Sequence, residues 1–166
     1  MTSRSEAMIA GGILSATLLV GAAVVGGVTH ARDHCDPWER IGMSDMDLVQ
    51  DATDCVEKYG DYDGAEGNVQ AIDDPKLRNQ AGYVLDLYEA AVSLEIILLH
   101  QEHEDYVTEK AYAVDFATSH IEQPEIKEHV LDAIAGEQIY GMTLDEYFVE
   151  TIDRAHMNEL ALGTTS

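Results

Sequence analysis

The sequence predicts an all-α protein, in which an N-terminal single transmembrane helix precedes a small helical bundle with one long central helix or a helical hairpin. Three observations support this fold class. Residues 7–28 carry no charged side chain, the apolar residues after position 43 recur at helical spacing, and no segment alternates as a strand does. These patterns predict three parts: a tail and transmembrane anchor at 1–30, a connector at 31–43, and an acidic all-α domain at 44–163.

Residues 7–28 are long enough to cross a membrane as a helix. At about 1.5 Å per residue the segment would extend roughly 33 Å, against a hydrocarbon core of about 30 Å. A removable signal peptide is the alternative, because Thr29, His30 and Ala31 form a tolerable cleavage site. The apolar core of a signal peptide is only about 7 to 15 residues long, so the length favours a retained anchor.

Small residues recur on one face of the predicted anchor, at Gly11, Ser15, Ala22 and Gly26. This spacing lets two helix backbones approach closely inside a bilayer, so it predicts a homo-oligomer or docking on another membrane protein. The alternative is that glycine and alanine are simply common in membrane spans.

The excess negative charge lies entirely after the predicted anchor. The chain has 9 basic and 32 acidic residues, and the first 31 positions hold only Arg4 and Glu6, so the remainder carries 8 − 31 = −23. Such a charge opposes compaction in dilute buffer, whereas salt near 1 M shortens the screening length to about 3 Å. With only four lysines, the composition resembles that of proteins from extreme halophiles. A calcium buffer or an acidic nucleic-acid mimic is the alternative.

The same charge limits the partners that the body can bind. It excludes nucleic-acid binding through phosphates and argues against docking on an anionic lipid surface, apart from the anchor itself. The predicted partners are therefore the lipid bilayer, further copies of the chain, and another membrane or shell protein.

The two cysteines, Cys35 and Cys55, both follow the predicted anchor. Positive charges flank the anchor almost equally, with Arg4 and the terminal amine before it and Arg32 and Arg40 after it, so they do not decide its orientation. A cysteine pair in an oxidising exterior is normally a disulfide, which places the body outside the cytoplasm and predicts a bridge that holds the connector on the first helix. Two free thiols in a cytosolic domain are the alternative.

The first helix of the body is predicted from Ser44 to a stop at Gly60, with an apolar face at Leu48, Ala52, Cys55 and Tyr59. The segment 60–74 is acidic and rich in glycine, and it is interpreted as a turn. Its spacing of aspartates resembles part of a calcium-binding loop, but the first and last ligands of such a loop are missing.

A long helical pattern begins at Asp74 and Pro75, a cap followed by a proline in the first turn. The predicted apolar stripe comprises Ala81, Leu85, Tyr88, Val92, Ile96 and Leu99. The pattern weakens at 101–105, where either one helix of nearly fifty residues continues or a hairpin forms. The absence of glycine and proline there slightly favours one long helix.

Two shorter helices complete the domain. Pro124 begins the first, which ends at Gly136, and a capping box of Thr143 and Glu146 begins the second. The last helix is predicted to bury the stripe Leu144, Phe148, Ile152 and Leu160.

The histidines of the body are the candidates for chemistry. His100, His103, Glu104 and His156 could form a metal site between helices, as imidazoles and carboxylates do in some bundles. The chain has no Glu-x-x-His, metalloprotease, nucleophile-elbow or phosphate-loop motif, so no catalytic residue and no cofactor are predicted. A hydrogen-bonded core histidine is the alternative for His103 and His156.

The sequence therefore predicts a membrane-anchored structural or interaction protein with an acidic, halophile-type exterior body. A cell-envelope complex and the membrane layer of a virion are both compatible settings. A membrane-tethered metal-binding bundle is the alternative function, and a secreted domain released by cleavage after Ala31 is a third.

Overall fold

A computed structural model of the protein describes Cys35 and residues 40–163. This part of the chain forms six α-helices and one π-helical segment, and its only β-type pairing is an isolated bridge between Ile139 and Met142. The prediction of an all-α body is confirmed for these residues. None of the helices within them is long and apolar enough to cross a membrane. The predicted anchor and its small residues Gly11, Ser15, Ala22 and Gly26 lie outside the described residues.

The chain divides into two compact units, Met1–Ala71 and Ile72–Ser166. The described part of the first unit contains α1 (Asp45–Asp54), a π-helical segment (Cys55–Tyr59) and α2 (Tyr62–Ala71). Ser44 caps α1 through a capping box with Asp47, and Gly60 ends the π-helical segment with a left-handed φ of 63°. Both predicted helix signals are therefore confirmed.

The interpretation of residues 60–74 as a turn is wrong, because most of this segment forms α2. Its glycines lie where neighbouring groups approach the helix closely. A Cβ atom on Gly64 would lie 2.5 Å from the Cβ of Cys35, and one on Gly67 would lie 2.5 Å from a guanidinium nitrogen of Arg40. Glycine is needed at these positions for close packing rather than for a change of chain direction.

The second unit contains α3 (Pro75–His100), α4 (Tyr106–His120), α5 (Pro124–Ala135) and α6 (Leu144–Gly163). Within this unit α3 packs against each of the other three helices. Every residue from 84 to 91 is buried, which identifies α3 as the central helix of the unit.

The chain breaks between α3 and α4, so the preference for one long helix is wrong and the hairpin is correct. The amide of His103 donates to the carbonyl of His100, and the amide of Tyr106 donates to that of His103. Asp105 adopts φ −87° and ψ 1°, a conformation open to any residue, so the turn needs neither glycine nor proline. The break lets α4 bury Ala113 and Ala117 and pack along α3.

The buried faces of α3 and α6 differ from the predicted stripes. On α3 the stripe is buried at Ala81, Leu85 and Tyr88 but not at its end, where Leu99 is 52% exposed. On α6 the stripe fails at Leu160, which is 68% exposed. The buried residues of α6 are Tyr147, Phe148, Thr151, Ala155 and Leu162. The central helix α3 has packing partners on several sides, so its buried residues do not form a single apolar stripe. The buried face of α6 depends on how this helix packs against α3.

Asp86 fixes the connection between α4 and α5. Its carboxylate is 3% exposed and accepts hydrogen bonds from the amides of Glu122, at 2.9 Å, and Gln123, at 2.8 Å. Burial raises the pKa of Asp86 above its usual value, while the two backbone bonds act in the opposite direction. Because Gln123 is the cap of α5 and Pro124 follows it, this buried carboxylate sets where α5 begins.

Candidate functional site

The four residues of the predicted metal site are not brought together. His100, His103 and Glu104 lie at the turn after α3, where His103 and Glu104 are exposed and the rings of the two histidines are 5.7 Å apart. The ring of His156 instead lies edge-on to Tyr88, with centroids 6.1 Å apart. Tyr88 and His100 both belong to α3, and about 18 Å of helix separates them.

A carboxylate oxygen of Asp105 lies 3.3 Å from Nδ1 of His100. Among the residues that the structure describes, no group of three or more histidine, cysteine or acidic side chains is arranged to hold a metal ion. The alternative of a core histidine is wrong for His103, because this residue lies in the exposed turn between α3 and α4.

Cys35 and Cys55 form the predicted pair. Their sulfur atoms are 2.10 Å apart, at disulfide distance, and both residues are buried. Since Cys55 begins the π-helical segment, the bond ties the connector to the first helical stretch of the body, as predicted.

A polar clamp strengthens the same attachment, and it consists of Arg40, Asn68 and Asp51. The guanidinium of Arg40 donates to the side-chain oxygen of Asn68 and, at 3.1 Å, to the carbonyl of Gly64. Asn68 is fully buried, and its amide nitrogen donates to Asp51 at 2.6 Å. The clamp could not be predicted from the sequence, because its members lie up to 28 residues apart and none belongs to a recognisable motif.

A cavity of about 340 Å³ lies at one end of the second unit, and we call it the end cavity. The end of α3, the start of α4, the end of α5 and the start of α6 surround it. Its apolar lining consists of Ile97, Ala133, Ile134, Met142 and Leu144. The first three of these side chains are at most 4% exposed, so they belong to the core and form an apolar floor.

The mouth of the end cavity is polar. Its lining there includes Gln101, Tyr106, Glu137, Gln138 and Thr143. Glu137 is the only charged residue among the lining residues, and it is exposed. An apolar floor beneath a few polar groups is the usual composition of a ligand pocket.

Helix ends of both signs reach the end cavity. Gln101 follows the last residue of α3 and Gly136 follows the last residue of α5, so the carboxyl ends of two helices, with partial negative charge, meet there. The amino ends of α4 and α6, with partial positive charge, also reach the cavity. At the start of α6, Glu146 already accepts the amide of Thr143 at 2.8 Å, and this bond lowers the pKa of Glu146.

An exposed aromatic residue stands beside the cavity. Tyr140 has a left-handed φ of 54°, is 68% exposed, and lies in the tight turn that the bridge between Ile139 and Met142 closes. Its ring meets that of His129 edge-on, with centroids 5.0 Å apart. A non-glycine residue in this conformation is strained, and such strain is often found at functional sites.

The second unit also buries an ionisable group. Glu95 on α3 is 4% exposed, and within the described part of the chain its Oε2 atom accepts no hydrogen bond. Burial raises the pKa of this carboxyl to about 7.

No protein-family model, curated protein or solved structure shows significant similarity to this chain.

Proposed function

We propose that this protein is a membrane-anchored interaction protein that displays an acidic helical body in a salt-rich exterior. The observation that carries the proposal is the division of the sequence into an uncharged segment at 7–28 and a following body that holds the whole net charge of −23. One part is suited to lipid and the other to brine.

The attachment between these parts supports the proposal. An anchored body needs a connector that does not detach from it, and here the disulfide-distance pair holds the connector on the π-helical segment while Arg40 holds it on α2. A disulfide is also typical of exterior compartments. A cell-envelope complex and a virion membrane layer are the two settings that match this architecture.

Membrane fractionation tests the anchor. Full-length protein should remain in membranes washed with alkaline carbonate, whereas the double variant L14R/L18R should move to the supernatant, because each arginine at the centre of a span costs about 3 kcal/mol. Thr2→Arg, which adds a charge before the apolar segment, is the matched control and should stay with the membrane. Wild-type protein in the supernatant would refute the anchor.

The salt dependence of folding tests whether the body is adapted to a salt-rich exterior. Helical circular dichroism of the full chain in detergent should decrease strongly when salt falls from molar concentration to ~0.1 M, because self-repulsion is then unscreened. A helical signal that is unchanged over this range would contradict the high-salt setting and leave the anchor unaffected.

Self-association tests the predicted packing of the anchor. Replacing Gly11 and Gly26 with leucine should convert a homo-oligomer in detergent to a monomer, because the larger side chains prevent close helix approach. Val24→Leu, on the opposite side of the predicted helix, is the control. An oligomer whose size is the same in both variants would exclude this interface.

A further inference from the structure

We propose that the end cavity receives a lysine or arginine side chain from a basic segment of a partner protein. The inference rests on the proposed interaction function, and it adds the place at which the partner docks and the chemistry of that partner.

The cavity has the shape and lining for a long side chain with a charged end. Its volume of about 340 Å³ exceeds that of a single amino-acid side chain, and Ile97 and Ile134 provide an apolar floor for an aliphatic stem. The polar groups lie at the mouth, where Glu137 and Gln138 are exposed. Lysine and arginine bury their methylene stems against apolar surfaces in this manner while their heads remain near polar groups.

The charged residues at and around the cavity favour a cationic ligand. Glu137 is negative and no basic residue belongs to the lining, while the carboxyl ends of α3 and α5 are balanced by the amino ends of α4 and α6. Glu102, Glu104 and Asp105 in the adjoining turn are also exposed, so the approach to the cavity is acidic. A partner segment that is basic would be attracted, and an acidic segment would be repelled.

Two aromatic residues lie at or beside the cavity. Tyr106 belongs to the lining, and the ammonium of Lys110 on the same helix lies 5.9 Å from the centroid of its ring, so an incoming cation would compete with Lys110 for this ring. Tyr140 is 68% exposed in the turn between the lining residues Gln138 and Met142, where a partner can reach its ring. Tyrosine is enriched at the energetically important positions of interfaces.

Peptide titration of the isotope-labelled full chain in detergent at molar salt tests the inference, with the Met142 methyl and Gln138 side-chain amide as reporters. The probe is a capped tripeptide with lysine between two alanines. The norleucine version, which keeps the stem and lacks the ammonium, is the matched neutral probe. We expect the lysine peptide to bind at least roughly tenfold more tightly, since a hydrogen bond to a charged group contributes about that much.

Two variants locate the binding. Glu137→Gln should weaken the lysine peptide roughly tenfold and leave the norleucine peptide unchanged. Glu125→Gln is the control, because this exposed glutamate lies at the other end of α5. Gln138→Trp, which fills the mouth, should abolish binding of both peptides.

Several results would overturn the inference. Equal affinities for the lysine and norleucine peptides would show that the ammonium group does not contribute to binding. Equal losses in Glu137→Gln and Glu125→Gln would indicate diffuse attraction to the acidic surface. Free n-pentylammonium that binds as tightly as the lysine peptide would assign the cavity to a small amine instead of a protein. None of these results changes membrane fractionation, so a failure here is distinguishable from a failure of the anchor.

Discussion

One buried polar side chain in each unit shows a different solution to burial. In the first unit Asn68 is fully buried and bonded to both Arg40 and Asp51, beside a disulfide-distance cysteine pair. In the second unit the carboxyl of Glu95 is buried, and among the described residues its Oε2 atom has no partner. The second unit therefore holds one satisfied acid, Asp86, and one acid whose proton burial retains to higher pH, whereas the buried amide of the first unit is fully bonded.

Removal of the cysteine pair should have the largest effect. Replacing Cys35 and Cys55 with alanine opens a loop whose ends are 20 residues apart, and the chain-entropy model assigns about 3 kcal/mol to such a closure. Hydrogen exchange of α1 and α2 amides should become faster by the corresponding factor. A reductant should reproduce the effect in the wild type and have none in the variant. Unchanged exchange in these helices would show that the polar clamp alone is sufficient.

Glu95 should make the second unit less stable as pH rises. Its folded pKa of about 7 lies above the unfolded value of about 4.5, so the folded state holds the proton more tightly. The contribution of Glu95 to the free energy of unfolding is complete below the unfolded pKa and is lost as pH rises through the folded pKa. The total loss is up to about 3 kcal/mol.

Glu95→Gln isolates this effect from the titration of the other acids. Unfolding of wild type and variant should be compared between pH 4 and pH 8, a range chosen to span both pKa values. The wild type should lose stability relative to Glu95→Gln across that range. Parallel curves for the two proteins would contradict a buried protonated carboxyl.

Asp86 should stabilise the second unit, because both of its carboxylate oxygens accept hydrogen bonds. Asp86→Ala removes the acceptor of two amides at the start of α5, and we expect a loss of about 2 kcal/mol at neutral pH in denaturant unfolding. Glu128→Ala, which changes an exposed acid of α5, is the comparison and should change stability much less. Equal losses in both variants would remove the special role of Asp86.

The helix caps should give the smallest effects. Ser44→Ala in the first unit and Thr143→Ala in the second each remove a capping box and should cost about 1 kcal/mol in thermal unfolding. The bonds to Ser44 and Thr143 lower the pKa values of Asp47 and Glu146, so this stabilisation is present at neutral pH and is lost in acid, opposite in sign to Glu95. Losses that stay constant down to low pH would contradict the capping-box geometry.

Local signals explain what could be predicted from the sequence. Ser44, Gly60, Pro75 and Pro124 were correctly interpreted, because a cap or a stop depends on a few neighbouring residues. The break after His100 was not preferred, because ordinary residues close that turn with backbone bonds alone.

Features that depend on distant residues were missed. The roles of Gly64 and Gly67 follow from the approach of Cys35 and Arg40, which no local pattern reveals. The end cavity is likewise assembled from parts of four helices, and Glu137 has no distinguishing neighbour in the sequence. The cysteine pair was predicted because only one pairing of two cysteines exists.

The mass and location of the chain in its native membranes test the central claim most directly. We predict that mass spectrometry of the protein extracted from washed membranes at molar salt will find residues 7–28 still attached to the acidic body. Recovery from the aqueous fraction of a chain that begins after Ala31 would contradict the account.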